Sequence, residues 1–281
     1  MNFQRKAKPL TLIIGGTGKT GRRVADRLSA MGKDVRIGSR SAVPGFDWDN
    51  EASWDAALEG VSAVYITYSP DLAFPGATDA IQAFVTKAKK AGVKRVVLLS
   101  GRGEEEAQAS ERTVQASGME WTIVRSSWFN QNFSEGAFVE VVLNGAITLP
   151  AGDTPEPFVD VDDIADVAVA ALTEDHHAGE IYEVTGPRLM TLADVAADIS
   201  EAIGREVRYV DVPHEGFMAE IEASGAPKEV AWMLDYLFAT VLDGRNASLT
   251  DGVTRALGRP PKDFAAFARD VALSGVWERA A

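Results

Sequence analysis

The stretch "LIIGGTGKTGRR" at residues 12–23 constrains this chain more than any other. It contains Gly18-Lys19-Thr20, the end of a triphosphate-binding loop. It also contains Gly15, Gly18 and Gly21, three residues apart. Counting separates the two readings. The triphosphate loop, G-x-x-x-x-G-K-[ST], needs a glycine five residues before Gly18. Ile13 stands there, inside the apolar run Leu10-Thr11-Leu12-Ile13-Ile14 that reads as a buried strand. What remains is a tight turn, Gly15-Gly16-Thr17-Gly18-Lys19-Thr20-Gly21, leading into a segment where Val24 and Leu28 recur at helical spacing. Strand, glycine turn and helix in that order form the context of a dinucleotide fingerprint, spaced here G-x-x-G-x-x-G. Glycine permits positive φ and close backbone approach. A pyrophosphate then sits on the N–H groups at the helix start. The alternative is a plain connecting turn.

The rest of the chain repeats the alternation. Strand-like runs at 34–40, 62–68, 93–100 and 119–126 are separated by helix-like runs around 53–60, 77–92 and 104–118. The helix at 77–92 is amphipathic and ends on Gly92, and the one at 104–118 carries acidic residues in its first turn. Such alternation predicts an α/β fold with a doubly wound parallel sheet and right-handed crossovers. Beyond residue 127 the order loosens into loops with Pro150, Pro155 and Pro157. There follow a helix in "VDDIADVAVAALTED", a strand in "GEIYEVTG", a helix in "TLADVAADISEAIG" opened by a Thr191/Asp194 capping box, and a strand in "REVRYVDV". The last 65 residues read as mainly helical. The expected division is residues 1–150 as a Rossmann domain, and residues 151–281 as a mixed region whose elements partly return to the sheet and partly build a C-terminal substrate lobe.

Composition narrows the partners. A net charge of −13 argues against nucleic acid or an anionic membrane. The absence of cysteine excludes disulfides, thiolate catalysis and Cys-based metal sites. The basic start "MNFQRKAKP" precedes an apolar run too short for a signal peptide, and no stretch approaches a membrane span, so the expectation is a cytoplasmic protein acting on a small molecule, with a homo-oligomer open.

The end of the second strand reads the cofactor. An acid there binds the 2′-hydroxyl of NAD, whereas an arginine accommodates the 2′-phosphate of NADP. The strand ends Gly38-Ser39-Arg40, and Asp34 lies at its beginning, on the wrong edge. Ser39 and Arg40 offer a hydroxyl and a planar fork to a phosphate, which points to NADP(H). In "FDWDN", Asp47 or Asp49 either meets the adenine amino group or caps the helix at Glu51. The expected cofactor residues are Gly15, Thr17, Gly18, Lys19, Thr20, Gly21, Ser39, Arg40, Asp47, Trp48, Thr67, Tyr68, Ser100 and Gly101.

The segments "IIGGTGKTG", "VSAVYITY", "VKRVVLLSGRG", "SGMEWTIVRSSWFNQNF", "PFVDVDDIADVAVAAL" and "ALGRPPKDFAAFARD" together resemble the NmrA-like branch of the atypical short-chain dehydrogenases over nearly the whole chain. "FDWDN" with "LLSGRGEEEAQASE" is similar to a narrower group, bacterial relatives of ergot-alkaloid reductases. The resemblance implies a Rossmann domain, a small lobe closing over the nicotinamide, and NADPH-dependent reduction of an imine, iminium or quinone-like acceptor. It also implies a rival, since the wider family includes NADPH sensors without catalysis.

One departure bears on the chemistry. Short-chain dehydrogenases use a Tyr followed four residues later by Lys. Here Tyr65, Tyr68, Tyr182, Tyr209 and Tyr236 are followed by Ser69, Leu72, Gly186, Pro213 and Thr240, and Ala107 stands about where relatives often carry Lys or His. A ketone needs a proton on its developing alkoxide. An iminium that accepts hydride becomes a neutral amine, and a quinone gives a stabilised anion that water protonates. No catalytic residue is therefore assigned. Tyr68, Trp128, Phe129 and His214 are pocket candidates, and Phe133 belongs either to that pocket or to a helix core. Arg102 follows a strand on the ligand-binding edge. His176 and His177 read as a solvated turn, and no metal-ligand spacing stands out.

Overall fold

The computed structural model describes residues 9–136 and 138–278. The basic N-terminal stretch through Lys8 lies outside the described residues. In chain order the elements open with β1 (Leu10–Ile14), α1 (Lys19–Ala30), β2 (Asp34–Gly38), α2 (Trp54–Leu58), β3 (Val61–Ile66) and α3 (Ala77–Ala91). They continue with β4 (Arg95–Gly101), α4 (Glu105–Gln115), β5 (Glu120–Ser126), α5 (Phe138–Leu143), β6 (Ala146–Leu149), α6 (Val161–Thr173) and β7 (Glu180–Val184). The last are α7 (Leu192–Ile203), β8 (Arg208–Asp211), α8 (His214–Ala223), α9 (Lys228–Tyr236), α10 (Gly252–Leu257) and α11 (Phe264–Leu273).

Six strands form one sheet in the order β2-β1-β3-β4-β5-β7. Its strand order reverses around β1, which pairs in parallel with β2 on one side and with β3 on the other. In an open sheet of this kind ligands bind beyond the carboxyl ends of the strands at such a switch point. The strands are apolar because helices cover both faces, as Leu12, Ile13, Ile14, Val64, Ile66 and Leu98 illustrate by being buried throughout. The helices obey the 3.6-residue period. In α3, Ala77, Ile81, Phe84, Val85 and Ala88 form the buried stripe, and Gly92 ends the helix in the left-handed region at φ 97°.

Two compact units interleave along the chain. The first comprises Met1–Ser100, Glu105–Val124 and Ala165–Ile181. Its core gathers Leu12, Trp54, Val64, Phe84, Leu98 and Ile123. The second comprises Gly101–Glu104, Arg125–Ile164 and Tyr182–Ala281, with a core around Phe133, Ile147, Phe158, Phe264 and Trp277. The strand expected in "REVRYVDV" is β8, and it pairs in parallel with β6, a strand not anticipated from the sequence. The capping box opening α7 is present, with Thr191 Oγ1 accepting from Asp194 N and the Asp194 carboxylate accepting from Thr191 N. No helix among the described residues is long and apolar enough to cross a membrane.

Candidate functional site

In the first unit the glycine turn is tied to both neighbouring strands. Gly15 N donates to Gly38 O at the end of β2 (2.9 Å), and Thr67 Oγ1, just past β3, donates to Ile14 O (3.1 Å). Gly15 sits at φ +68°, and a Cβ there would lie 2.1 Å from Thr67 Oγ1. A Cβ on Gly21 would lie 2.2 Å from Gly15 O. Both glycines are therefore required by the fold itself. Gly18 differs. It is exposed and extended (φ −81°, ψ −179°), and a Cβ there would meet only Gly15 O, at 3.2 Å. That contact with backbone is tight, but the φ is one that any residue adopts, so glycine is less strictly demanded at 18 than at 15 or 21.

Helix α1 starts directly from this turn. Its N-cap makes no side-chain capping bond, and its first turn holds no acid. The contrast with α7, closed by its capping box, and with α11, capped by Asp263, is direct. The first N–H groups of a helix have no partner within it and carry its positive end, so an anion suits this position.

Register brings the other expected residues to the same edge. Ile14 pairs with Gly38, so Ser39 and Arg40 follow beside the turn. Ile13 pairs with Tyr65 and Ile66 with Leu98, so Thr67, Tyr68 and Ser100 lie along one line of strand ends. Arg36, within β2, bonds the α2 carbonyls of Ala56 and Ala57 and that of the following Glu59. Arg40 is exposed and makes no ion pair or side-chain hydrogen bond among the described residues.

The "FDWDN" segment resolves differently from the expectation about capping. Asn50, not an aspartate, caps the turn at Glu51, by accepting from Ala52 N. Asp47 accepts Trp54 Nε1 on its carbonyl (2.7 Å) and Asp49 N on its carboxylate (3.2 Å). Trp48 donates its indole N–H to Thr67 O (3.1 Å) and rests 5.0 Å from the Tyr68 ring. Burial, and secondarily the nearby Asp49 charge, raise the Tyr68 phenol above its ordinary pKa. Ser100 is buried and donates to Glu111 Oε1 at 2.6 Å, and Ala107 is wholly buried in the core. Within the turn itself, Thr17 is exposed at the crown, Lys19 is half-buried and Thr20 is buried.

The second unit holds the remaining candidates. At Gly101 a Cβ would lie 2.3 Å from the Glu104 carboxylate, the far end of a flexible side chain. Trp128 packs against Phe238 (5.6 Å) and Phe158 (6.5 Å), and its buried Nε1 has no hydrogen-bond partner among the described residues. Phe129 bridges to Val159. Phe133 is core: it is fully buried among Phe138, Phe158 and Phe264, and its carbonyl accepts Trp277 Nε1. His214 opens α8 and faces Asp235 at 3.2 Å.

Arg102 is not available to a ligand. Its buried guanidinium donates to Asn246 O (2.7 Å), Ser248 O (2.9 Å), Ser248 Oγ (2.7 Å) and Glu183 Oε2 (3.2 Å). It ties together chain segments far apart in sequence.

Two buried polar residues escape the sequence reading. Asn130 is fully buried with neither amide atom hydrogen-bonded, and Glu156 is fully buried with neither carboxylate oxygen hydrogen-bonded, among the described residues. Burial pushes the Glu156 pKa up to about 7, against the pull of Arg102 and with a push from Asp243. The local signals are an Asn inside the aromatic run "WFNQNF" and a Glu between two prolines, and neither pattern says that the side chain is buried.

A protein family described as NAD(P)H-binding matches residues 15–175, which include the turn and every strand end named for the first unit. The chain is 34% identical to the oxidoreductase YesF of Bacillus subtilis, over 94% of this chain and 95% of that protein. It is 32% identical to an NAD(P)H azoreductase of Xenophilus azovorans, over 92% and 97%. It is also 32% identical to an agroclavine dehydrogenase of Claviceps fusiformis, over 92% and 96%. Among solved structures, a nucleoside-diphosphate-sugar epimerase from Staphylococcus aureus superposes with a TM-score of 0.79 at 21% identity, covering 93% of this chain and 99% of the other. A Citrobacter triphenylmethane reductase complexed with NADP(H) superposes at 0.74 and 20% identity, covering 94% and 99%.

Proposed function

The chain belongs to the NAD(P)H-binding family, among the NmrA-like atypical short-chain dehydrogenases/reductases, and from that premise we propose that it is an NADPH-dependent reductase passing hydride to an imine/iminium or quinone-like acceptor. The observation that carries the cofactor choice is Arg40, an exposed arginine beside the glycine turn with no side-chain partner among the described residues. The residues present fit a dinucleotide. An uncapped helix start without an acid suits the pyrophosphate, and Gly18, exposed at that start, has no side chain to stand in an anion's way. Arg40 with Ser39 would hold the 2′-phosphate by charge-assisted bonds. Asp47 and Trp48 would border the adenine, and Thr67, Tyr68, Ser100 and Gly101 would follow the cofactor along the strand ends. A bound reduced nicotinamide supplies the hydride.

The acceptor reading rests on what the protein does not supply. No tyrosine precedes a lysine by four residues, and Ala107 is sealed in the core. Tyr68 holds its proton more tightly than an ordinary phenol, which makes it a poor acid at neutral pH. Its ring, backed by Trp48, serves to orient and to exclude water. Trp128, Phe129 and His214 are the side chains we assign to acceptor binding in the second unit. Relatives named as an azoreductase and a dehydrogenase support catalysis over the regulatory alternative.

The test is NADPH oxidation against a panel of cyclic imines, quinones and enones. Turnover with the first two classes and not with simple ketones is expected. NADPH binding without oxidation in the presence of any acceptor would favour a sensor instead.

A further inference from the structure

The turn between α6 and β7 contradicts its reading as a solvated pair of histidines. His177 is fully buried, while His176 and Glu174 remain exposed by 67% and 55% at their side chains. Glu174 Oε2 lies 3.7 Å from His176 Nδ1 and 3.7 Å from His177 Nε2, and one ligand atom from each of the three residues lies within 4.8 Å of the others. Ligands of a tetrahedral ion with bonds of about 2.0–2.1 Å stand about 3.4 Å apart, so modest side-chain movement closes this set.

We propose that Glu174, His176 and His177 form a binding site for a divalent transition-metal ion of the zinc, cobalt or nickel class. Two imidazoles and one carboxylate select such ions over magnesium or calcium, which take oxygen ligands. The backbone of the site is held in place before any ion arrives. Glu174 O accepts from Arg95 Nη1 (3.0 Å), His177 O accepts from Thr122 Oγ1 (2.7 Å), and Gly179 N donates to Trp121 O (2.7 Å). The exposed Glu174 and His176 side chains are the ones that must move, both to close on an ion and to uncover the buried His177 Nε2. The neighbouring Arg95 charge is met by Glu120 and Asp175, both paired to its Nη2.

The place of the site defines its role. Residues 174–177 precede β7, and Arg95 and Glu120 begin β4 and β5. The site is thus on the amino-terminal edge of the parallel sheet, opposite the edge that carries the glycine turn. An ion there clamps the entry to β7 and takes no part in hydride transfer.

The background for a measurement is clean, because the chain has three histidines and no cysteine. Tag-free, chelator-treated full-length protein is titrated with Zn²⁺ by calorimetry and with Co²⁺ by visible absorption. One equivalent is expected to bind, with tetrahedral Co²⁺ bands and a raised Tm. His176→Ala and Glu174→Gln, both at exposed positions, should each weaken binding at least tenfold while the metal-free Tm stays unchanged. His214→Ala should bind the ion as the parent does. NADPH affinity should be the same with and without the ion. No stoichiometric binding, or binding that survives both His176→Ala and Glu174→Gln, overturns the proposal.

Discussion

Gly15 and Thr67 define the floor of the glycine turn: a Cβ on Gly15 would stand 2.1 Å from the Thr67 hydroxyl that bonds Ile14 O. Gly18, three residues on, meets nothing closer than Gly15 O at 3.2 Å. The fold demands glycine more strictly at 15 than at 18, so the two substitutions separate folding from the proposed phosphate binding. Gly15→Ala should lower stability by about 2–4 kcal/mol through left-handed strain and overpacking. Gly18→Val, with an ordinary φ and one tight backbone contact, should cost less stability than Gly15→Ala and abolish NADPH binding. Chemical denaturation and fluorescence titration of the two variants separate these effects. A Gly18→Val protein that binds NADPH like the parent would mean that the phosphate site is elsewhere.

Arg40 has no ion pair to lose among the described residues, so its removal reads cofactor binding directly. A charge-assisted bond to the 2′-phosphate contributes roughly 1.5–3 kcal/mol. Arg40→Ala should therefore weaken NADPH binding about 10- to 100-fold and leave NADH nearly unchanged. Equal losses for both cofactors refute the assignment.

The Tyr68 hydroxyl is tested by Tyr68→Phe, which keeps the ring beside Trp48. The loss in kcat should stay below about tenfold, against the roughly 10²–10⁴ of a lost general acid. Trp128→Ala should be more harmful, through misplacement of the acceptor. A thousandfold loss for Tyr68→Phe with NADPH binding intact would make this tyrosine a proton donor and a carbonyl the preferred acceptor.

Glu156 makes stability depend on pH in an unusual direction. Its folded pKa of about 7 lies above the ordinary 4.5, so the folded chain keeps a proton that the unfolded chain releases between those values. Stability should fall as pH rises through that window, by on the order of 3 kcal/mol for the whole shift, and level off above it. Glu156→Gln removes the titration. It should match the parent near pH 4 and exceed it at pH 8 in urea midpoint. Parallel pH profiles for parent and variant would show that the carboxyl is solvated in the folded protein.

Short-range chemistry is legible in the sequence. The run Leu10–Ile14 with its glycine turn, the stripe of α3 with Gly92 behind it and the Thr191/Asp194 box each involve residues within a turn or two of one another. Period, caps and positive-φ glycines act over that range, so the alternation that dictates a parallel sheet, and with it the edge carrying Arg40, follows from the order of residues alone.

Other features required the folded chain. Arg102 is a ligand-edge arginine by sequence and a buried clamp by structure, because its acceptors at 246 and 248 are more than 140 residues away. Phe133 is core rather than pocket because Phe158, Phe264 and Trp277 converge on it. His177 is buried in a polar turn because β4 and β5 bring Arg95 and Thr122 to that turn, and this same closure sets Glu174 against both histidines. Sequence determined the elements and their order, since those follow from short-range propensity and hydrophobic period. Burial, partnership and the ionisation of Glu156 were decided only by tertiary structure, since they depend on groups that the chain brings together across long separations.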